Sequence, residues 1–85
     1  MANKNKNAEA TYHVYKILVY AISDEPKVAL NLMDNKTKYF ALYYLLKAYE
    51  MGDENAKYQV DEIFGKDNFI PKSSEYLKKY SVEIE

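Results

Sequence analysis

The sequence predicts an all-α domain built from two antiparallel helical hairpins, the first of which carries a short inserted helix. Apolar residues recur at helical spacings along most of the chain, and no segment alternates apolar and polar residues as a half-buried strand does. The two glycines and two prolines stand where helices are expected to end or begin. A chain of 85 residues with 48% hydrophobic content has room for one small core. We therefore expect a single domain over residues 7–85, with hairpin one at 7–51 and hairpin two at 53–84.

The first helix is expected over about residues 8–22, after a disordered tail of residues 1–6. Asn7 is a suitable N-cap, because its side chain can accept a hydrogen bond from a backbone N–H of the first turn. The apolar residues of this helix form two stripes on opposite sides. The predicted core stripe contains Ala10, Val14, Ile17, Leu18 and Ala21, and the second stripe contains Tyr12, Tyr15, Val19 and Ile22. A helix with two apolar faces has to be covered on both sides.

The insertion, residues 25–36, is expected to hold a short helix. Glu25 and Pro26 suit its first turn, since proline lacks the N–H that a helix start leaves unbonded. Asp34 and Asn35 close this element and open the second long helix.

Hairpin two is expected to start after Gly52, which suits the left-handed position that ends a helix. Asp53 can cap the following helix, whose apolar residues run to Gly65. Pro71 suits the first turn of the final helix. Residues 47–65 are thus predicted to be a joint between two helices.

The two hairpins share an internal similarity. ATYHVYKIL at 10–18 and AKYQVDEIF at 56–64 align without a gap, and Pro-Lys pairs at 26–27 and 71–72 recur at nearly the same offset. Self-similarity of this kind indicates a repeat of one helical unit.

A set of residues in the second half of the chain follows a known repeat pattern. The matching residues are Ala41, Tyr44, Lys47, Ala48, Glu50, Gly52, Asp53, Ala56, Tyr58, Val60 and the pair Ile70-Pro71. Over about residues 38–84 the chain thereby resembles the SEL-like repeat family, a longer relative of tetratricopeptide repeats. The resemblance implies a right-handed stack of helical hairpins whose concave face, lined by the first helix of each hairpin, binds other proteins.

Aromatic residues on the first helix of each hairpin are the candidate binding residues. We predict a partner surface made of Tyr12, Tyr15, Lys16 and Val19, extended on hairpin two by Tyr58 and Glu62. Tyrosine suits such a surface because it combines a large contact area with a hydroxyl that tolerates water. Two alternatives stay open for the second stripe of the first helix. Either the insertion covers it, or part of it remains exposed for a partner protein or an identical subunit.

The sequence shows no pattern typical of an enzyme. The chain has no cysteine, and His13 is its single histidine. Acidic pairs such as Asp53-Glu54 are adjacent, so their side chains point in different directions on a helix. We predict no catalytic residue, no metal site and no cofactor. No membrane segment is expected, because no apolar run approaches the length that spans a bilayer. A cytoplasmic location is expected, since the sequence has no cysteine and its first ten residues lack the apolar core of a signal peptide.

The predicted function is therefore protein binding by a small non-enzymatic module, such as an adaptor, an accessory subunit or an inhibitor. One alternative is an inhibitor of a host protein complex, of the kind that phages and mobile elements encode. Another is nucleic-acid binding, because two groups of lysines lie among aromatic residues. These groups are Lys36, Lys38 and Lys47 with Tyr39, Phe40 and Tyr43, and Lys72, Lys78 and Lys79 with Tyr76 and Tyr80. The net charge of −1 and the lack of arginine disfavour this alternative.

Overall fold

The computed structural model describes residues 6–66 and 68–83, which form α-helices without a strand. The helices are α1 (Lys6–Tyr20), α2 (Pro26–Leu32), α3 (Asn35–Glu50), α4 (Glu54–Phe64) and α5 (Ser73–Glu83). The prediction of an all-α fold is confirmed, and a short helix, α2, lies in the predicted insertion. α1 starts at Lys6, the last residue of the predicted tail; the rest of that tail and the predicted end of hairpin two at 84 lie outside the described residues. None of the helices in the described ranges is both long and apolar enough to cross a membrane.

The joint between α3 and α4 forms as the sequence predicts. Gly52 has a φ of 96°, and its N–H donates to the carbonyl of Tyr49. The N–H of Asp53 donates to the carbonyl of Ala48 at 3.0 Å. Together these two hydrogen bonds make a Schellman motif, which satisfies carbonyls left free at the end of α3. The Asp53 carboxylate then accepts a hydrogen bond from the N–H of Ala56 at 2.9 Å and caps α4.

The other predicted cap, Asp34, also forms. Its carboxylate accepts a hydrogen bond from the N–H of Thr37 at 2.9 Å at the start of α3. The hydrogen bonds from Thr37 hold the pKa of this carboxyl below its usual value, because they favour the charged form.

The core is organised around α3, which packs against α1, α4 and α5. Leu45 and Leu46 of α3 have no exposed surface. Around them lie buried residues from α1, α2 and α4, which are Tyr15, Val19, Ala29, Leu30, Ala56 and Val60. α2 contacts α1 and contributes Leu30 to the core, whereas its Leu32 remains 68% exposed.

The orientation of α1 is opposite to the predicted one. Tyr15 and Val19, which belong to the predicted second stripe, are fully buried in the core. Ala10 and Ala21 of the predicted core stripe are exposed, and Ile17 is 57% exposed. The helical period shows where both apolar stripes lie on α1, but it does not show which of them faces the core.

The two copies of the repeated motif do not occupy equivalent positions in the core. Ala56 is buried, whereas its counterpart Ala10 is exposed. Tyr58 is 72% exposed, whereas its counterpart Tyr12 is half-buried. In addition, α5 packs most extensively along α3, and within the described residues α4 and α5 share no comparable contact. The sequence similarity of α1 and α4 therefore reflects similar helices that turn different faces inward.

Candidate functional site

A groove of about 310 Å³, open to solvent, lies between α2, α3, α4 and α5. Its lining residues are Lys27, Leu30, Asn31, Lys38, Leu42, Ile63, Phe64 and Tyr76. Leu30 and Leu42 are almost completely buried, and Ile63, Phe64 and Tyr76 are half-buried. The groove thus has an apolar lining with two cationic side chains. Its volume is at the small end of the range of about 300–1,000 Å³ that is typical of ligand sites.

Aromatic rings extend from the groove along the contact between α3 and α5. We call this group the α3–α5 aromatic cluster; its members are Tyr39, Phe40, Tyr43, Tyr44, Tyr76 and Tyr80. The rings of Phe40 and Tyr80 lie 5.2 Å apart, and those of Tyr39 and Tyr76 lie 6.0 Å apart. Tyr76 also contacts Phe64 of α4, with ring centroids 6.4 Å apart, and so connects the cluster to the groove. All these distances lie in the range of attractive aromatic pairs.

A lysine of α5 is held against two rings of this cluster. The Nζ of Lys79 lies 4.9 Å from the ring centroid of Tyr76 and 5.7 Å from that of Tyr39. Both distances are within the range of a cation–π interaction. Burial, with the neighbouring Tyr39, raises the pKa of the Tyr76 hydroxyl above its ordinary value. The hydroxyl therefore stays neutral at physiological pH.

Two local contacts fix the start of α5 and the end of α4, the two helices that carry Tyr76 and Phe64. Glu50 at the end of α3 accepts hydrogen bonds from the backbone N–H and the hydroxyl of Ser73, which begins α5. At the end of α4, Gly65 has a φ of 94°, and the side chain of Asn68 donates to the carbonyl of Phe64 at 2.7 Å. The positive φ favours glycine at position 65, and a side chain there would also have to displace the amide group of the exposed Asn68.

The predicted partner surface does not form as one surface. Tyr15 and Val19 are fully buried, and Tyr12 is half-buried with its ring 5.7 Å from that of Tyr15. Only Lys16, Tyr58 and Glu62 are exposed, and they lie on α1 and α4. The second stripe is covered at Tyr15 and Val19 by α3 and the insertion, whereas Tyr12 is half-buried and Ile22 is 43% exposed. Tyr15 and Val19 therefore offer no exposed surface to a partner in this fold.

The buried tyrosine has a structural partner instead. The hydroxyl of Tyr15 donates to Oε1 of Gln59 on α4 at 3.0 Å. Burial, followed by the neighbouring Tyr12, raises the pKa of this hydroxyl well above its ordinary value. Tyr15 thus connects α1 to α4 as a neutral hydrogen-bond donor.

No sequence motif marks the groove, but the sequence contains a signal for it. The two groups of lysines and aromatic residues that predicted nucleic-acid binding come together in space, because α3 packs along α5. Lys38 and Tyr76, one from each group, both line the groove. Their convergence could have been proposed from sequence only if the pairing of α3 with α5 had been known.

His13, the single histidine, is exposed on α1 and does not line the groove, so it is not placed as a catalytic residue of this site. In the ranges that the structure describes, no three His, Asp or Glu side chains meet as metal ligands would.

Comparisons of the chain with protein-family models, with curated proteins and with solved structures found no match. The resemblance to SEL-like repeats accordingly stays a prediction from the sequence pattern. The candidate site is defined by the geometry of the groove.

Proposed function

We propose that the chain is a small non-enzymatic module that binds another protein through the groove between α2 and α5. The observation that supports this proposal best is the open apolar lining of the groove, where Ile63, Phe64 and Tyr76 keep accessible surface above the buried Leu42. Grooves that bind peptides and helices combine an apolar lining with a concave shape. An adaptor, an accessory subunit and an inhibitor, including one encoded by a phage or mobile element, would all use such a surface.

The shape of the groove favours a protein segment over a small molecule. Small-molecule sites enclose most of the surface of their ligand, whereas this groove is open and only about 310 Å³ in volume. It can receive a few side chains of a segment whose remaining atoms stay outside. The SEL-like resemblance, which implies protein binding by helical hairpins, agrees with this proposal by analogy. A cytoplasmic location is part of the proposal, and a sequence without cysteine is compatible with it.

Nucleic-acid binding is the second candidate, and the joined lysine and tyrosine groups are the observation that favours it. Stacking of bases, however, requires free ring faces. Tyr39 and Tyr76 contact each other, and Lys79 already lies over both rings. We therefore rank protein binding first.

The proposal is tested by photo-crosslinking in the cells that naturally produce the chain. A photoreactive amino acid is placed at Asn31, which is exposed and lines the groove, and in a matched control at Lys57, which is exposed and does not line it. We expect a defined protein adduct from position 31 and none from position 57. Equal adducts from both positions, or nucleic acid as the adduct from position 31, would contradict the proposal.

A further inference from the structure

The charge of the groove differs from that of the chain as a whole. The chain has a formal net charge of −1. Among the residues that the structure describes, the charged lining of the groove consists of Lys27 and Lys38, without a carboxylate. Lys27 belongs to α2 and Lys38 to α3, so two different elements contribute the cations. A local excess of positive charge on a weakly acidic chain selects partners by electrostatic complementarity.

The apolar part of the lining indicates what else the partner carries. Leucine, isoleucine, phenylalanine and tyrosine side chains meet in the groove, and they come from all four elements around it. A large apolar side chain of a partner, such as leucine or phenylalanine, would lose its contact with water on entering. The groove therefore combines sites for apolar anchors with sites for carboxylates.

We infer that the groove binds an acidic segment of a partner protein, in which carboxylates flank one or two large apolar side chains. This inference rests on the proposed function and specifies the chemistry of its partner. The carboxylates face Lys27 and Lys38, and the apolar side chains pack on Leu42, Phe64 and Tyr76.

An unbiased selection tests this chemistry without knowledge of the natural partner. Random 12-residue peptides are displayed on phage and selected against the full chain, and the enriched peptides are synthesised. We expect them to carry net negative charge and at least one leucine, phenylalanine or tryptophan. We also expect their affinity to fall about tenfold for the double variant Lys27→Glu/Lys38→Glu, since attraction becomes repulsion at two positions.

The charge-reversal variant is expected to fold. Both lysines lie within the first four residues of their helices, where a carboxylate interacts favourably with the helix dipole. The single variant Lys27→Glu, at an exposed position, gives an independent reading with an expected loss of about threefold. The matched control is Lys16→Glu/Lys57→Glu, which makes the same change in net charge at exposed positions outside the groove and should leave the affinity unchanged.

Several outcomes would overturn the inference. Enriched peptides that are neutral or basic, or that bind the groove variant as tightly as the unchanged chain, would show that the lysines do not select the partner. If no peptide is enriched, the groove does not bind a short acidic segment, and the inference is likewise overturned. A single-stranded 12-nucleotide DNA that displaces the peptides would reassign the groove to nucleic acid, and a dimer that sedimentation detects and the peptides dissociate would reassign it to a second copy. A protein crosslinked at Asn31 would still support the proposed function if the peptide selection fails.

Discussion

The carboxylate of Glu50 holds Ser73 by two hydrogen bonds, one from the backbone N–H at 2.7 Å and one from the hydroxyl at 2.8 Å. Ser73 is the first residue of α5, and its N–H is one of those that a helix start leaves without an intrahelical partner. A carboxylate in this position also interacts favourably with the dipole of α5. The end of α3 thus caps a helix that begins more than twenty residues later.

The first prediction concerns this contact. Glu50→Ala should lower the free energy of unfolding by about 1–2 kcal/mol, because two hydrogen bonds to a charged group are lost. Hydrogen exchange in α5 should accelerate, because its first turn loses its cap. The control is Glu62→Ala, which removes the same group from an exposed position of α4. Equal effects of the two variants in chemical denaturation would contradict this account.

The second prediction concerns the joint between α3 and α4. Asp53→Ala should cost about 1 kcal/mol of stability, since the cap on the N–H of Ala56 is lost. Asp53→Ser, which keeps an acceptor at the same position, should recover most of this loss. Thermal unfolding of both variants measures the difference. If serine is no better than alanine, the side-chain hydrogen bond does not stabilise the joint.

The third prediction concerns Tyr15. Tyr15→Phe should lower stability by about 1 kcal/mol at neutral pH, because Oε1 of Gln59 loses its donor. Burial raises the pKa of this hydroxyl in the folded protein above its ordinary value of 10.0. The folded state therefore keeps a proton that the unfolded state releases, so this contribution is present below pH 10 and is lost as the pH rises above it.

The pH dependence separates the hydroxyl from the packing of the ring. Between about pH 10 and pH 12 the unchanged protein should lose stability more steeply than Tyr15→Phe. Tyr58→Phe is the control, since Tyr58 is 72% exposed. Denaturation curves at several pH values measure the slopes, and identical slopes for the unchanged chain and Tyr15→Phe would refute the assignment.

The fourth prediction concerns the position of the core. Leu45→Ala should cost about 2–5 kcal/mol, because Leu45 is fully buried at the centre of the helix that contacts α1, α4 and α5. Leu32→Ala removes the same atoms at a position that is 68% exposed and should change stability by less than about 0.5 kcal/mol. Denaturant titration of the two variants gives the comparison. Similar losses would mean that the core is elsewhere.

The sequence by itself determined the helical class and the helix boundaries around residues 34 and 52–53. Two other predicted boundaries were wrong, because Asn7, the predicted cap of α1, lies inside that helix and α5 begins at Ser73, two residues after Pro71. Capping is a local interaction, so Asp34, Gly52 and Asp53 could be assigned from their immediate neighbours. The apolar period likewise identified α1 as a helix with two apolar faces.

The tertiary structure decided which of these faces is buried and which helices meet. Tyr15 packs inward while Ile17 remains exposed, although both belong to apolar stripes. The choice depends on the shape that α3 presents to α1, and helical periodicity in one segment contains no information about that shape. The groove, too, depends on how the helices pack. Its residues come from four helices, and Lys38 and Tyr76 became neighbours only because α5 packs along α3.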